Sequence, residues 1–73
     1  IGPNPSFGIF NVINPTNLSG TAMVWDLAGK LLFEKKLSGN TVIDLTKYAQ
    51  GLYEIKIYNE EKKEILSQKL ISE

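Results

Sequence analysis

The stretch of sequence that decides the fold is LYEIKIY, Leu52–Tyr58. Its large apolar side chains Tyr53, Ile55 and Ile57 alternate with two charged residues. A period of two places the apolar side chains on one face of an extended strand and the charged ones on the other. The stretch therefore predicts a half-buried β-strand.

Turn-forming residues flank this strand and divide the rest of the chain into short segments. Gly, Pro, Asn, Asp and Ser favour turns, because they supply unusual backbone angles or bond to nearby backbone groups. The predicted turns and loops are Pro3–Ser6, Asn14–Gly20 with its Asn14-Pro15 breaker pair, Asp26–Gly29, Ser38–Asn40 and Asn59–Lys63. Asp at the first position and Gly at the fourth make Asp26–Gly29 typical of a type I hairpin turn.

Five further extended segments lie between these turns. They are Phe7–Ile13, Thr21–Trp25, Lys30–Leu37, Thr41–Ile43 and Glu64–Ile71. Residues 44–50 are ambiguous and can hold one helical turn, capped by Asp44 or Thr46 and ended by Gly51. Six to seven short strands, with a turn every 8–12 residues or so, indicate an antiparallel sandwich or barrel. We predict one all-β domain, a compact antiparallel β-sandwich spanning residues 1–73.

The composition argues against several classes of function. Eight Lys balance eight acidic residues and Arg is absent, so no net field attracts nucleic acid, and the best phosphate-binding side chain is missing. The sequence has no Cys and no His. Disulfides, thiolate metal sites and the commonest general base are therefore excluded. The apolar runs are too short for a transmembrane segment. No signal peptide opens the sequence, so we interpret it as a terminal fragment of a larger protein.

The acidic residues are weak candidates for chemistry. Asp26 and Asp44 each follow a strand, where an Asp side chain usually accepts backbone N–H bonds and fixes a turn. A glycosidase-like carboxylate pair is a remote alternative. Calcium bound by Asp26, Asp44 and loop carbonyls is a somewhat better one, although the sequence has no Asp-x-Asp-x-Asp run. We expect no catalytic residues, no metal and no cofactor, and hence no enzyme.

The aromatic residues leave a binding function open. Trp25 and Tyr58 are candidates for a flat platform that stacks on sugar rings. Trp25 is out of phase with Ala22 and Val24, so one of these sets faces outward, and an outer cross-strand aromatic explains the pattern equally well. Tyr53 is expected to be a structural tyrosine, whose hydroxyl ties down the preceding corner. A carbohydrate-binding or adhesin-like sandwich is therefore the alternative function.

Four segments, in this order, resemble one known family. They are PNPSFGIF at Pro3–Phe10, VWDLAGK at Val24–Lys30, IDLT at Ile43–Thr46 and GLYEI at Gly51–Ile55, with Lys69-Leu70-Ile71 closing the chain. The set resembles the C-terminal sorting domain, type A, of type IX secretion cargo in Bacteroidetes (the Por secretion family). The resemblance covers nearly the whole chain. Its main departure is Trp25, where the family more often has Tyr.

The resemblance implies an Ig-like sandwich that acts as a secretion signal. Cargo of such a domain passes through the periplasm to the outer-membrane surface or the extracellular space. The implied partners are the type IX outer-membrane translocon and its shuttle components. A sortase-like cysteine peptidase is implied to remove the domain and attach some cargo to the cell surface. A homodimer through exposed β edges is also left open.

The resemblance also marks individual residues, which we call the motif residues. They are Pro3, Asn4, Pro5, Gly8, Phe10, Asp26, Gly29, Lys30, Asp44, Leu45, Gly51, Tyr53, Lys69, Leu70 and Ile71. Most are interpreted as fold-makers: glycines in turns or bulges, aspartates in caps, and Phe10, Leu45 and Tyr53 in the core. Lys30, Lys69 and residues 70–72 are harder to assign to folding. We therefore expect the last strand and the Asp26–Lys30 hairpin to form the recognised surface, the strand by edge addition.

Overall fold

The computed structural model describes residues 1–14 and 17–73, which form six β-strands. The strands are β1 (Ile9–Val12), β2 (Gly20–Asp26), β3 (Leu31–Leu37), β4 (Thr41–Asp44), β5 (Gly51–Asn59) and β6 (Glu64–Ser72). Within the described residues no helix is long and apolar enough to span a membrane. Pro15 and Thr16 of the predicted Asn14–Gly20 loop lie outside the described residues.

The strands form two antiparallel sheets. The small sheet pairs β1 with β4, and the large sheet has the order β3-β2-β5-β6. Two sheets packed face to face bury one side of each strand and leave the other side to solvent. The predicted all-β antiparallel sandwich is therefore confirmed, with six strands in the part of the chain that is described.

The core lies between the two sheets and follows the alternation of β5. Tyr53, Ile55 and Ile57 are 7%, 0% and 4% exposed, so the predicted inner face of this strand is confirmed. The neighbouring strand β2 and the small sheet supply most of the remaining buried apolar side chains, namely Ala22, Val24, Phe10, Val12 and Ile43, while Leu45 and Leu70 complete the cluster. Val24 points into the core, so Trp25 lies on the outer face of the large sheet. Of the two sets of β2 side chains, it is therefore Ala22 and Val24 that face the core.

Residues 44–50 form a turn in place of a helical turn. The backbone N–H of Tyr48 donates to the carbonyl of Leu45 at 3.0 Å, which closes a single β-turn. The Asp44 carboxylate accepts bonds from both the backbone N–H and the hydroxyl of Thr46. These bonds fix the turn directly after β4.

The register brings distant parts of the sequence to one end of the sandwich. Asp26 of β2 lies opposite Tyr53 of β5, and Tyr53 lies opposite Leu70 of β6. In the small sheet, Ile9 of β1 lies opposite Asp44 of β4. We call this end, formed by residues 3–8, 26–30, 44–53 and 69–73, the motif end, because it contains every motif residue except Phe10.

Candidate functional site

The start and the end of the chain are joined at the motif end. The Asn4 side chain donates to the carbonyl of Lys69 at 2.7 Å and accepts from the backbone N–H of Ile71 at 2.9 Å. The backbone N–H of Ser6 donates to the carbonyl of Ile71 at 3.0 Å, and the N–H of Glu73 donates to the carbonyl of Ser6 at 2.7 Å. Residues 4–6 therefore occupy the side of β6 that faces away from β5.

The β2–β3 hairpin is fixed by Asp26 and Gly29. The Asp26 carboxylate accepts the backbone N–H of Lys30 at 2.9 Å, and its carbonyl accepts the N–H of Gly29 at 3.1 Å. Gly29 has a φ of 84°, which a residue with a Cβ adopts only with strain. These contacts confirm the predicted turn and fix the backbone that carries the exposed side chains of Leu27 and Lys30.

The corner before β5 is tied down by Tyr53. Its buried hydroxyl donates to the carbonyl of Ala49, four residues earlier, which confirms the predicted tyrosine corner. Gly51, at the start of the strand, has a φ of 150°. The corner therefore holds residues 49–51 beside the tip of the hairpin, where Gln50 and Leu27 line a shared surface depression.

Gly8 joins the small sheet to the turn that follows β4. Its carbonyl accepts the backbone N–H of Leu45 at 2.7 Å. Gly8 has a φ of 106°, and a Cβ at this position would lie 3.0 Å from the methyl group of Thr46 and 3.3 Å from its backbone nitrogen. The same turn lowers the pKa of Asp44 below its usual value of 3.8, chiefly because the carboxylate accepts two hydrogen bonds from Thr46.

Four motif residues from three segments meet at one open cavity of about 310 Å³. Asp26, Gly29, Tyr53 and Lys69 all line it, around the half-buried indole of Trp25. Two further charged side chains, Glu54 and Lys56, complete the polar part of the wall and form an ion pair at 3.6 Å. The cavity thus combines an aromatic surface with charged groups of both signs.

The final strand contributes to both the core and the surface. Leu70 is completely buried and Ser72 is 6% exposed, whereas Ile71 is 43% exposed. The expectation that residues 70–72 are hard to assign to folding is therefore wrong for Leu70 and Ser72, because alternation along β6 turns both side chains inward. A role of Lys69, Leu70 and Ile71 in recognition stays a prediction.

Two large apolar side chains at the motif end were not singled out by the sequence. Phe7 is 85% exposed and Leu27 is 73% exposed. Buried neighbours fix the backbone at Phe7, and the hairpin turn fixes it at Leu27. In the sequence each of the two is an apolar residue next to a motif residue, which could have drawn attention to it. Only the structure shows that these side chains point to solvent.

The candidate sugar platform is not assembled as one site. Trp25 and Tyr58 share the outer face of the large sheet, but Trp25 pairs with Glu54, four positions before Tyr58. Their backbone positions are therefore roughly 13 Å apart along the strand direction. They line different cavities, with Met23 beside Tyr58.

The two aspartates are engaged in turns. Asp26 and Asp44 lie in different turns, and each carboxylate already accepts backbone hydrogen bonds. Within residues 1–14 and 17–73 no three acidic side chains are grouped to hold a metal ion. The described arrangement offers nothing in support of the calcium alternative, since such a site needs about six to eight oxygen ligands.

All 73 residues match the model of the family described as the secretion system C-terminal sorting domain. The chain belongs to this family. The resemblance to type IX sorting domains is thereby confirmed, and the family is not one of enzymes. No curated protein matches the chain significantly.

Membership gives the sorting domain its broad function. The family indicates a C-terminal type IX secretion signal, and so interaction with the type IX machinery. Such a signal implies export to the outer-membrane surface or the extracellular space. The motif end is therefore the candidate site, because it contains nearly all motif residues and presents the exposed ones to solvent.

Proposed function

We propose that this sorting domain acts as a folded surface, recognised at its motif end by the type IX outer-membrane translocon and its shuttle components. The observation that carries the proposal is the convergence of motif residues from positions 3 to 71 at one end of the sandwich. Such a surface exists only when the chain is folded. A linear tag would need no buried residues, yet Phe10, Leu45 and Leu70 are completely buried.

The recognised surface is proposed to combine the Asp26–Lys30 hairpin with the end of β6. Lys30 and Lys69 are exposed, and Lys69 shares a cavity wall with the base of the hairpin. Exposed charges at an interface set orientation and association rate more than raw affinity. We therefore expect these two lysines to orient the partner as the complex forms.

The remaining steps of the proposed function concern the cargo. The domain is proposed to be the C-terminal domain of a longer secreted protein. A sortase-like cysteine peptidase would then remove it and, in some cargo, attach the remainder to the cell surface. The family resemblance supports these steps, and the peptidase chemistry would reside in the partner. Homodimerisation through β edges remains a further proposal, to be tested by sedimentation of the purified domain.

The main test is a secretion assay. Residues 1–73 are fused to a reporter that carries a signal peptide, in a bacterium with type IX secretion. We expect export of the reporter, and periplasmic retention of a folded, intact fusion would sink the proposal. Ile55→Asp keeps every motif residue but places a charge in the core, so it should abolish export. Val42→Asp is the matched control, since Val42 is 44% exposed.

A second set of variants tests the surface itself. Lys30→Glu and Lys69→Glu should each reduce export while leaving the urea midpoint unchanged, and Lys36→Glu on β3 is the control. Deleting the chain from Lys69 onward should also block export, but it removes buried Leu70 and so combines unfolding with loss of surface. Normal export of both lysine variants would exclude these side chains from recognition.

The carbohydrate-binding alternative is tested by titrating the domain with polysaccharides and following tryptophan fluorescence. Saturable binding that Trp25→Ala abolishes, with the fold retained, would favour it. The separation of Trp25 from Tyr58 along the sheet does not favour this alternative.

A further inference from the structure

The outer side of β6 is an edge that the chain covers with its own residues 3–6. An edge strand presents a row of unpaired N–H and C=O groups, which a foreign strand can use as a template. Four such groups, on Lys69, Ile71 and Glu73, are bonded by Asn4 and Ser6. We call residues 3–6 the strap.

The composition of the strap suits it to end the sheet. Pro3 and Pro5 have no backbone N–H, so the strap offers few donors to a further strand. Asn4 uses its side-chain amide, one donor and one acceptor, in place of the main chain of a strand. Only Ser6 of the strap is buried, whereas Pro3, Asn4 and Pro5 are exposed.

The other edges of the sandwich are protected by different means. The edge strand β3 contains the exposed charges Glu34, Lys35 and Lys36, which discourage pairing. The Lys35 ammonium also donates to the carbonyl of Val42 on the β4 edge at 2.7 Å. On β1, Gly2 exchanges backbone bonds with Asn11. Protection of β3 and β4 is thus built into their own side chains, whereas β6 depends on a short, largely exposed segment from the other end of the chain.

We propose that the strap is a removable cover, and that recognition by the secretion machinery includes its release and the addition of an extended partner strand to β6. This inference rests on the proposed function. Strand addition would give affinity through main-chain bonds at Lys69, Ile71 and Glu73, while exposed side chains on β6 give specificity. The closed strap keeps the same edge from pairing indiscriminately before the partner is met.

A cross-link tests whether the strap must open. Ser6 and Ser72 form a bridge pair, and such pairs fall within the Cα separation of about 4.4–6.8 Å that a disulfide needs. The chain has no Cys of its own. Ser6→Cys with Ser72→Cys in the reporter fusion will form a disulfide in the oxidising periplasm and lock the strap. Thr21→Cys with Lys36→Cys, a pair between β2 and β3, is the control cross-link, which leaves the strap free.

We expect the locked fusion to be retained at least tenfold more than the control cross-link, and export to recover when a reductant opens the disulfide. Equal export of the locked and control fusions would overturn the proposal. Failure of the wild-type fusion to leave the cell would instead refute the proposed function, so the two failures are distinguishable.

A loosened strap gives the complementary test and does not depend on the cysteines. Asn4→Ala should speed hydrogen exchange at the Ile71 amide by about tenfold or more, the usual effect of losing one or two hydrogen bonds. Asn40→Ala is the matched control, because its side chain accepts a backbone N–H from Asn14 at the opposite end of the sandwich.

Export of the Asn4→Ala fusion should be faster than that of the wild type, because a loosened strap makes the edge of β6 easier to expose. A fall in export would mean that the closed strap itself is recognised, which would overturn the proposal. Loss of export together with dimerisation of the purified variant would identify a second copy of the chain as the occupant of the edge, and would likewise overturn it.

Discussion

Truncating Leu70 to Ala should destabilise the sorting domain far more than the same change at Ile71. Leu70 is completely buried in the core, whereas its neighbour is 43% exposed. Removing a buried leucine side chain costs about 2–5 kcal/mol, because transfer free energy is lost and a cavity remains. At Ile71 the corresponding loss should be at most about 1 kcal/mol, since surface changes rarely cost more.

The expected loss at Leu70 is large on the scale of this domain. At roughly 0.05–0.15 kcal/mol per residue, a chain of this length has a free energy of unfolding of about 4–11 kcal/mol. A loss of about 3 kcal/mol would lower Tm by roughly 12–24 °C, since each kcal/mol shifts a domain of this size by about 4–8 °C.

The assay is urea denaturation followed by the fluorescence of Trp25, the sole tryptophan of the sequence. Leu70→Ala should lower the midpoint and leave the slope of the transition unchanged, because the surface exposed on unfolding is nearly the same. Equal midpoints for Leu70→Ala and Ile71→Ala would refute the reasoning, since they would show that the end of β6 is not packed on the core.

Three smaller effects should follow from the same structure. Tyr53→Phe removes a buried hydroxyl and its bond to a carbonyl, so we expect a loss of about 1–3 kcal/mol in urea denaturation; an unchanged midpoint would contradict the tyrosine corner. Gly29→Ala should lower the free energy of unfolding by about 1 kcal/mol, because Gly29 has a positive φ. Gly2→Ala is the control and should be neutral, since an added Cβ meets no atom within 4 Å at either position and Gly2 has no positive φ. The folded-state pKa of Asp44 is lowered. The ionised carboxylate therefore stabilises the fold fully at pH values above its usual pKa of 3.8, and this stabilisation is lost as the pH falls through the folded-state pKa. Asp44→Asn should therefore flatten the acid limb of the pH–stability curve, and a curve identical to that of the wild type would contradict the assignment.

Local patterns in the sequence predicted the fold well. The alternation of β5 depends only on residues next to one another, and burial of Ile55 and Ile57 follows directly from it. The hairpin at Asp26–Gly29 and the tyrosine corner are likewise local, since each bond spans at most four residues. The sequence alone allows a helical turn over residues 44–50, because an Asp before a short segment caps a turn and a helix equally well.

Non-local contacts could not be predicted in the same way. Nothing around Asn4 indicates that its amide bonds to a strand 65 residues later. The face chosen by Trp25 is also decided elsewhere, by the small sheet that packs on Val24. The motif residues could be recognised from their order, but their meeting at one end depends on the strand order of the large sheet.

The bonds between residues 4–6 and 69–73 also affect when the domain finishes folding. A contact that spans 65 or more residues requires closure of a long loop, and such contacts form late in folding. The strap can therefore settle only after the last strand has paired, and the last strand can pair only once nearly the whole chain is present. Closure of the strap thus marks the end of folding, and a partner that has to open it meets only a domain whose other contacts are already in place.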